Sequence, residues 1–171
     1  LGLRPADWVY DMILAGNESF YKAEKGKRLY YDIAAKAYKP VPGQEGFLIL
    51  SNLSDNIVWK NAGSSLYDLG DGILNLEFHS KMNTMGAEVI EGINKGISTA
   101  EKDFRGLVIG NEGVEAFSAG ANLAMLFMLA IEQEFDEINM VIGQFQKTMM
   151  RARYSSIPVV TAPHSLTLGG G

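Results

Sequence analysis

The sequence predicts an α/β fold in which a group of strands is followed by alternating strands and helices. From Gly46 onward, short segments rich in β-branched and aromatic residues are separated by Asn, Asp, Ser and Gly, which is typical of strands joined by turns. Farther along, apolar residues recur at the spacing of amphipathic helices. A buried-looking strand at 107–109 lies between two helical patterns, so we expect at least one strand–helix–strand crossover.

The composition is that of an ordinary globular protein with room for one well-formed core. The 171 residues are 47% hydrophobic and 20% charged, and the net charge is −5 with acids and bases interspersed. This argues against a broad nucleic-acid-binding surface, which needs clustered Lys and Arg, but leaves a local basic pocket for a phosphorylated cofactor open. With 0 cysteines, disulfides and thiolate sites are excluded, and a cytoplasmic location is expected. No apolar run reaches the roughly 18 residues of a membrane span.

Residues 1–42 predict a small helical appendage that ends in an extended linker. Pro5 suits the first turn of a helix, and apolar residues from Trp8 to Ile13 follow at helical spacing until Gly16-Asn17 ends the helix. A second, weaker helix or turn is predicted around Ser19–Lys22. A turn, an apolar segment and a proline-containing extended stretch that serves as the linker follow at Lys25–Lys27, Leu29–Ile33 and Tyr38–Gly43.

Residues 46–171 contain most of the predicted strands and the longer helices. Asp71-Gly72 is a strong hairpin turn, and Asn83 is predicted to cap a helix with an apolar face from Val89 to Ile97. The predicted strands are Phe47–Leu50, Asn56–Lys60, Ser65–Leu69, Ile73–Phe78, Leu107–Ile109 and Ile157–Thr161. Further helices are predicted at Leu123–Ile131 and Glu134–Arg153, and their methionines are expected to fill core space.

Two glycine-containing turns are the segments most suited to bind a ligand. One runs from Phe117 to Leu123 and leads into a helix; the other runs from Pro158 to the final Gly169-Gly170-Gly171. Small residues let a ligand approach the backbone, and N–H groups at a helix start are unpaired. Two such groups that converge on one point would form an oxyanion hole, although most glycine-rich turns are only turns.

The order and spacing of these two turns resemble the paired signature of the crotonase (enoyl-CoA hydratase/isomerase) superfamily. The resemblance rests on Ala119-Gly120-Ala121-Asn122-Leu123 after Phe117 and on Pro158-Val159-Val160 followed by Leu168-Gly169-Gly170-Gly171. It covers residues ~46–171 and implies a partial crotonase-type spiral of β-β-α units. The strand at 73–78 and the helix after it also stand where that family has its first strand–helix unit.

Residues 1–42 resemble the end of a 3-hydroxyacyl-CoA dehydrogenase helical domain. This weaker resemblance rests on aromatic residues around Trp8, Phe20 and Tyr30, without a catalytic motif. Together the two resemblances imply the dehydrogenase-to-hydratase junction of a bacterial fatty-acid β-oxidation protein. NAD would then bind only in a dehydrogenase domain outside this chain, since no Gly-x-Gly-x-x-Gly follows a predicted strand here.

The crotonase resemblance implies a role for five residues. The backbone N–H groups of Ala121 and Gly170 would hold the thioester carbonyl oxygen of a CoA substrate. Backbone groups at Ala119 and Gly120 would contact the CoA moiety, and Lys81 would meet its phosphates. No other cofactor and no metal is implied. Because crotonases commonly assemble as trimers or larger, the resemblance also leaves a homo-oligomer open.

Two departures from the family pattern limit what this chain is expected to do. Asn122 stands where many relatives have Asp, so it caps the helix without adding a negative charge. The paired glutamates that act as acid and base in hydratases come after the triglycine, and no residue here matches them. We therefore expect a fragment that is inactive by itself and whose parent adds water to trans-2-enoyl-CoA. A non-catalytic acyl-CoA-binding or scaffold module and a crotonase-type isomerase, thioesterase or dehalogenase stay open as alternatives.

The remaining chemically suggestive residues are expected to be structural. His79 and His164 lack the partners of a metal site, and Ser118 and Ser165 lack the context of a hydrolase nucleophile. Glu112 is expected to be a solvated loop charge.

Overall fold

The computed structural model describes residues 4–24, 26–113 and 115–171, which form two compact units. The first ends at Ser54 and the second runs from Asp55 to Gly171. The boundary therefore lies later than the linker that the proline-containing stretch predicted. A 3-10 helix, Leu50–Asn56, spans this boundary, and residues 47–49, which were expected to start a strand, have no regular structure.

The first unit combines one helix with an antiparallel sheet of three strands. Helix α1 is Asp7–Leu14, and the strands, in the order β1-β2-β3, are Tyr21–Glu24, Lys27–Asp32 and Ala37–Pro40. The hydrogen bonds of β2 with both neighbours place Tyr31 in the interior, where 2% of it is exposed.

The appendage predicted to be helical at residues 1–42 is thus helical only in α1, as far as its described residues 4–24 and 26–42 are concerned. The helix or turn expected around Ser19–Lys22 is wrong, because Tyr21 and Lys22 pair with Tyr30 and Leu29 across the hairpin. Of the turn expected at Lys25–Lys27, Lys25 lies outside the described residues. The extended stretch at Tyr38–Gly43 is not a free linker, because its first part is β3 and Pro40 lies on this edge strand, where a missing N–H is tolerated.

The second unit is built around a sheet of five strands in the order β4-β5-β6-β7-β9. The first two pairs of strands are antiparallel and the last two are parallel. Asp71 and Gly72 form the hairpin between β5 and β6, and both have positive φ angles (53° and 76°), as a two-residue turn of this kind requires. The strands are β4 Ile57–Lys60, β5 Ser64–Gly70, β6 Ile73–Phe78, β7 Gly106–Ile109 and β9 Val159–Thr161.

Helix α2, Ala87–Asp103, covers this sheet and completes its core. Val89, Ile93 and Ile97 lie on the buried face at helical spacing, and each is at most 1% exposed. They pack with buried residues of β5, β6 and β7 that include Leu66, Leu74, Leu76 and Leu107. The crossover from β6 through α2 to the parallel strand β7 is the unit that the sequence predicted.

The expected cap at Asn83 is wrong, because α2 begins only after Gly86. Asn83 belongs to a short 3-10 turn, Lys81–Asn83, and has a φ angle of 50°. Its side-chain amide donates a hydrogen bond of 3.0 Å to the carbonyl oxygen of Ala116. The Asn83 side chain, which the local sequence predicted to cap α2, therefore makes a tertiary contact instead.

Two further strands of this unit form a separate, smaller parallel sheet. These strands are β8 Ala116–Ser118 and β10 Leu166–Thr167. Between them in sequence come α3, Leu123–Ile131, and α4, Phe135–Arg153. Three of their methionines do not fill the core as expected, since Met128, Met140 and Met150 are 54%, 65% and 50% exposed, whereas Met149 packs against the core. Within the described residues, no helix has the length and apolar character needed to cross a membrane.

Candidate functional site

Pairing of β8 with β10 brings the two glycine-containing turns together. Leu166 pairs with Ala116, and Thr167 pairs with Ser118. The ladder continues as the N–H of Leu168 donates a 3.0 Å hydrogen bond to the carbonyl oxygen of Ser118. Because both strands run in the same direction, the turns that follow them emerge at the same end.

The first turn depends on a glycine at position 120. Gly120 has a φ angle of 83°, and a Cβ there would lie 2.5 Å from the carbonyl oxygen of Leu168. Its N–H donates to Oγ of Ser118 over 3.1 Å, and that hydroxyl donates to the carbonyl oxygen of Asn83 over 2.7 Å. The carbonyl of Gly120 accepts from the N–H of Met85. Gly120, which directly precedes Ala121, is therefore held through both its N–H and its carbonyl.

The second turn needs glycine because other groups occupy the space of a side chain. A Cβ on Gly170 would lie 2.8 Å from Cζ of Phe145, and one on Gly171 would lie 2.8 Å from the carbonyl oxygen and Oγ of Ser118. The close packing fixes the turn against α4 on one side and β8 on the other.

Ala121 and Gly170 line one pocket with a volume of about 300 Å³. Asn122 also lines it and caps α3, since its Oδ1 accepts from the N–H of Met125 over 3.3 Å. The remaining lining is mainly apolar and comes from α2 and the two residues before it, and from α3 and α4: Met85, Gly86, Ala87, Ile90, Met125, Leu126, Val141, Ile142, Gln144 and Phe145. No Asp, Glu, His, Lys or Tyr is among the described residues that line this pocket.

The two backbone donors predicted for the site are unpaired. Within residues 4–24, 26–113 and 115–171, neither the N–H of Ala121 nor that of Gly170 is hydrogen-bonded to an acceptor. The position that a Gly120 Cβ would occupy is 3.4 Å from the Gly170 nitrogen, so the Gly170 peptide lies next to residue 120. The start of α3 follows directly, and its partial positive charge favours an anion here.

The residues expected to contact CoA are not part of the pocket wall. Lys81 is exposed and is not among the pocket-lining residues; it opens the 3-10 turn that leads to Asn83. The N–H of Ala119 donates to the carbonyl of Met82 over 3.0 Å, so this N–H is already used. Of the five predicted site residues, only Ala121 and Gly170 are therefore in the pocket wall, while Ala119 is bonded to the 3-10 turn that begins at Lys81.

A buried polar cluster lies on β5 and β6, outside the pocket. Glu77 is 8% exposed; its Oε2 accepts from the hydroxyl of Tyr67 over 2.8 Å, and its Oε1 accepts from the N–H of Glu112 over 3.3 Å. Burial, followed by the hydrogen bond to Glu77, raises the pKa of Tyr67 to about 12. His79 completes the cluster through Oγ of Ser65, at 2.8 Å.

Sequence reasoning missed this cluster, although the alternation of β6 carried a signal. Asn75 and Glu77 share one face of the strand and Leu74 and Leu76 the other, yet both faces are buried. The expectation that Glu112 is merely solvated also misses the contact of its backbone with Glu77. Among the described residues, no group of three His, Asp or Glu side chains could hold a metal ion.

Comparison with known proteins places this geometry in context. No protein-family model matches the chain. A Bacillus subtilis (strain 168) protein named "Probable 3-hydroxyacyl-CoA dehydrogenase" is 44% identical over 100% of this chain, which spans 22% of that protein's length.

Solved structures resemble the chain in fold. An enoyl-CoA hydratase from Bacillus anthracis matches with a TM-score of 0.56 and 19% identity, over 64% of this chain and 42% of that one. An enoyl-CoA hydratase/isomerase from Xanthobacter autotrophicus Py2 matches with a TM-score of 0.52 and 20% identity, over 61% and 39%. The chain thus carries part of the crotonase fold and is, over its full length, similar to one segment of the Bacillus subtilis protein.

Proposed function

We propose that this chain is the part of a fatty-acid β-oxidation protein that binds the thioester group of trans-2-enoyl-CoA and polarises its carbonyl. The observation that carries the proposal is the pair of unpaired N–H groups, on Ala121 and Gly170, in the wall of one apolar pocket. A thioester carbonyl oxygen that accepts from both would have its acyl chain against α3 and α4. The Lys81 ammonium and the backbone near Ala119 and Gly120 would meet the CoA moiety.

The chemistry follows from where charge develops. When water adds to the enoyl double bond, negative charge accumulates on the thioester oxygen as an enolate forms. A preorganised N–H aimed at such an oxygen contributes about 3–4 kcal/mol to transition-state stabilisation in acyl-transfer enzymes. Glycine at position 170 leaves room for the Phe145 ring and, unlike proline, has an N–H that can donate to the oxygen.

The proposal assigns the acid and base to other residues of the whole protein. No titratable side chain is present among the described residues of the pocket wall, so nothing there can deliver or remove a proton. The chain by itself is therefore expected to bind enoyl-CoA without hydrating it.

The whole protein would carry out two consecutive steps. Hydration yields a 3-hydroxyacyl-CoA, which is what an NAD-dependent 3-hydroxyacyl-CoA dehydrogenase oxidises. The relation to a protein with that name supports the pairing of both activities on one polypeptide. In this proposal residues 1–42 are the end of the dehydrogenase domain, residues 46–171 begin the hydratase domain, NAD binds elsewhere, and the protein is cytoplasmic.

The infrared stretch of the thioester carbonyl tests the role of the two donors. Crotonyl-CoA labelled with ¹³C at the carbonyl is added to the chain, and its stretch is expected to shift to lower wavenumber on binding. Gly170→Pro and Gly170→Ala both place a Cβ against Phe145, but only proline removes the N–H. We expect Gly170→Pro to lose most of the shift and Gly170→Ala to keep more of it. Circular dichroism checks that both variants fold.

Equal carbonyl shifts in the two variants would remove Gly170 from the donor set. In the whole protein, the proline variant is expected to lower kcat for hydration about a hundredfold or more. An unshifted carbonyl in the unaltered chain would contradict the proposal as a whole.

A non-catalytic acyl-CoA-binding module is the second candidate, and the pocket wall without titratable groups favours it. The two candidates differ in the whole protein. Hydration of crotonyl-CoA by that protein supports the enzyme, whereas binding with carbonyl polarisation but no turnover supports the binding module.

A further inference from the structure

Asn111 joins three segments that surround the candidate oxyanion hole. Its side-chain Nδ2 donates to the carbonyl oxygen of Phe117 over 2.7 Å, and its Oδ1 accepts from the N–H of Phe78 over 2.8 Å. Its own carbonyl oxygen lies 3.1 Å from Nε2 of His164. One residue thus connects the end of β6, the strand β8 and the connection between β9 and β10.

His164 contacts Asn111 and Phe117, and its Nδ1 also lies 3.4 Å from Oγ of Ser165. Because a carbonyl oxygen can only accept, Nε2 must carry a proton and donate to Asn111. The imidazole also meets the ring of Phe117 edge to face, with ring centroids 6.0 Å apart and an angle of 83°. Asn111 thus forms one hydrogen bond with Phe117 in the first turn and one with His164 in the second.

The backbone pairing between these turns is short. β8 and β10 share two residue pairs, and the register shifts between Leu166 and Thr167. Beyond these pairs, the backbone connection consists of one bridge between Ala116 and Ser165 and the hydrogen bond from Leu168 to Ser118, so side-chain contacts between the two turns add to it. The first turn reaches Ala121 soon after Phe117, and the second reaches Gly170 soon after His164, so a contact between these two anchors limits how far the donors can separate.

We propose that His164 and Asn111 are positioning residues that set the separation of the Ala121 and Gly170 N–H groups. The inference rests on the proposed function for its importance in chemistry, but its geometric content can be measured without a ligand. The sequence assigns neither residue a role beyond that of a loop, and the crotonase resemblance assigns none to them.

The test compares substitutions at the 2 histidines of the chain. His164→Phe keeps an aromatic ring against Phe117 and removes the donor to Asn111, whereas His164→Gln keeps a donor and removes the ring. His79→Phe is the matched control, since it makes the same change at a histidine that bonds to Ser65 outside the pocket.

The readouts are amide ¹H–¹⁵N shifts and hydrogen exchange in the ligand-free chain. We expect His164→Phe to move the Ala121 and Gly170 resonances and to speed exchange of the Leu168 N–H about fivefold, the effect of losing one hydrogen bond. His79→Phe should leave these signals in place, and His164→Gln should restore them at least in part.

Unchanged Ala121 and Gly170 resonances in His164→Phe would overturn the inference. The inference would also fail if His164→Gln were as perturbed as His164→Phe, because a restored donor to Asn111 would then not restore the positions of the two N–H groups. When crotonyl-CoA is added, a smaller carbonyl shift in His164→Phe than in His79→Phe supports the positioning role. If no variant, nor the unaltered chain, shifts the carbonyl, the proposed function fails while the amide data still decide the inference.

Discussion

Helices α2 and α3 are both rich in apolar residues, yet the structure uses them in opposite ways. α2 buries Val89, Ile93, Ile97 and other residues along one face, against β5, β6, β7 and α4. All nine residues of α3, LAMLFMLAI, are apolar, and none is buried; Phe127, for example, is 65% exposed. Apolar composition therefore makes a helix available for burial, but the helix is buried only where another surface faces it.

Helix α4 lies between these extremes. Thr148 is its one buried residue among those described, and Phe145 and Met149 pack on the core from its inner side. The outer side carries exposed Met140 and Met150. The loss of unfolding free energy caused by one substitution should therefore decrease from α2 through α4 to α3. Three substitutions test this order.

The largest effect is expected for Ile97→Ala in α2. Ile97 is 0% exposed and packs within the core cluster, so its truncation leaves a cavity that costs about 2–5 kcal/mol of unfolding free energy. Urea denaturation followed by circular dichroism measures the loss. Lys95→Ala, two residues away on the exposed side, is the matched control and should change stability by less than about 0.5 kcal/mol. Similar losses for both variants would contradict the buried position of Ile97.

The core of the second unit could be predicted from sequence because its signals are local and agree with one another. The strand Ile73–Phe78 and the helix Leu123–Ile131 have the predicted bounds, and the face from Val89 to Ile97 is buried as expected. Periodicity and turn residues both depend on near neighbours in the chain, so they can be recognised without the fold.

The errors arise where distant contacts decide the structure. Tyr21–Glu24 is a strand because it pairs with β2, and Asn83 does not cap α2 because its amide binds Ala116. Phe47–Leu50 has β-forming residues but is not part of any strand in the described sheets. Local propensity is a weak guide at such positions.

The candidate site, like the fold, could be predicted only in part from the sequence. Resemblance and spacing selected Ala121 and Gly170, and the fold brings both to one pocket. Lys81 does not reach the pocket wall, and the contacts of Asn111 and His164 join residues too far apart in sequence for any local pattern to indicate. The functions of these residues stay predictions.

An intermediate effect is expected for Arg151→Ala, which breaks a polar connection between α4 and α2. The Arg151 guanidinium donates to Oδ1 of Asn94 over 3.1 Å and to Oγ of Ser98 over 2.6 Å, and Nη2 lies 3.9 Å from Oε2 of Glu101. Because the side chain is 39% exposed, we expect a loss of about 1 kcal/mol.

Urea denaturation of Arg151→Ala should be compared with that of Arg153→Ala on the same helix. Arg153 stacks over the ring of Tyr154, at 5.6 Å from its centroid, and forms no hydrogen bond or ion pair with α2 among the described residues. Its removal should cost less than the removal of Arg151. An equal or larger loss for Arg153→Ala would show that the connection to α2 adds no stability.

The smallest effect is expected for Phe127→Ser in α3. Phe127 is 65% exposed, and Phe and Ser have similar helix propensities, so neither lost burial nor lost helix formation should be costly. We expect the free energy of unfolding to change by no more than about 0.5 kcal/mol, even though a large apolar side chain is replaced by a polar one.

The measurement should be made at two protein concentrations at least tenfold apart. A loss near that of Ile97→Ala that grows with concentration would mean that another copy of the chain buries α3, because only an association that the substitution weakens depends on concentration in this way. A loss of that size without concentration dependence would instead contradict the exposed position of Phe127 and, with it, the contrast between α2 and α3.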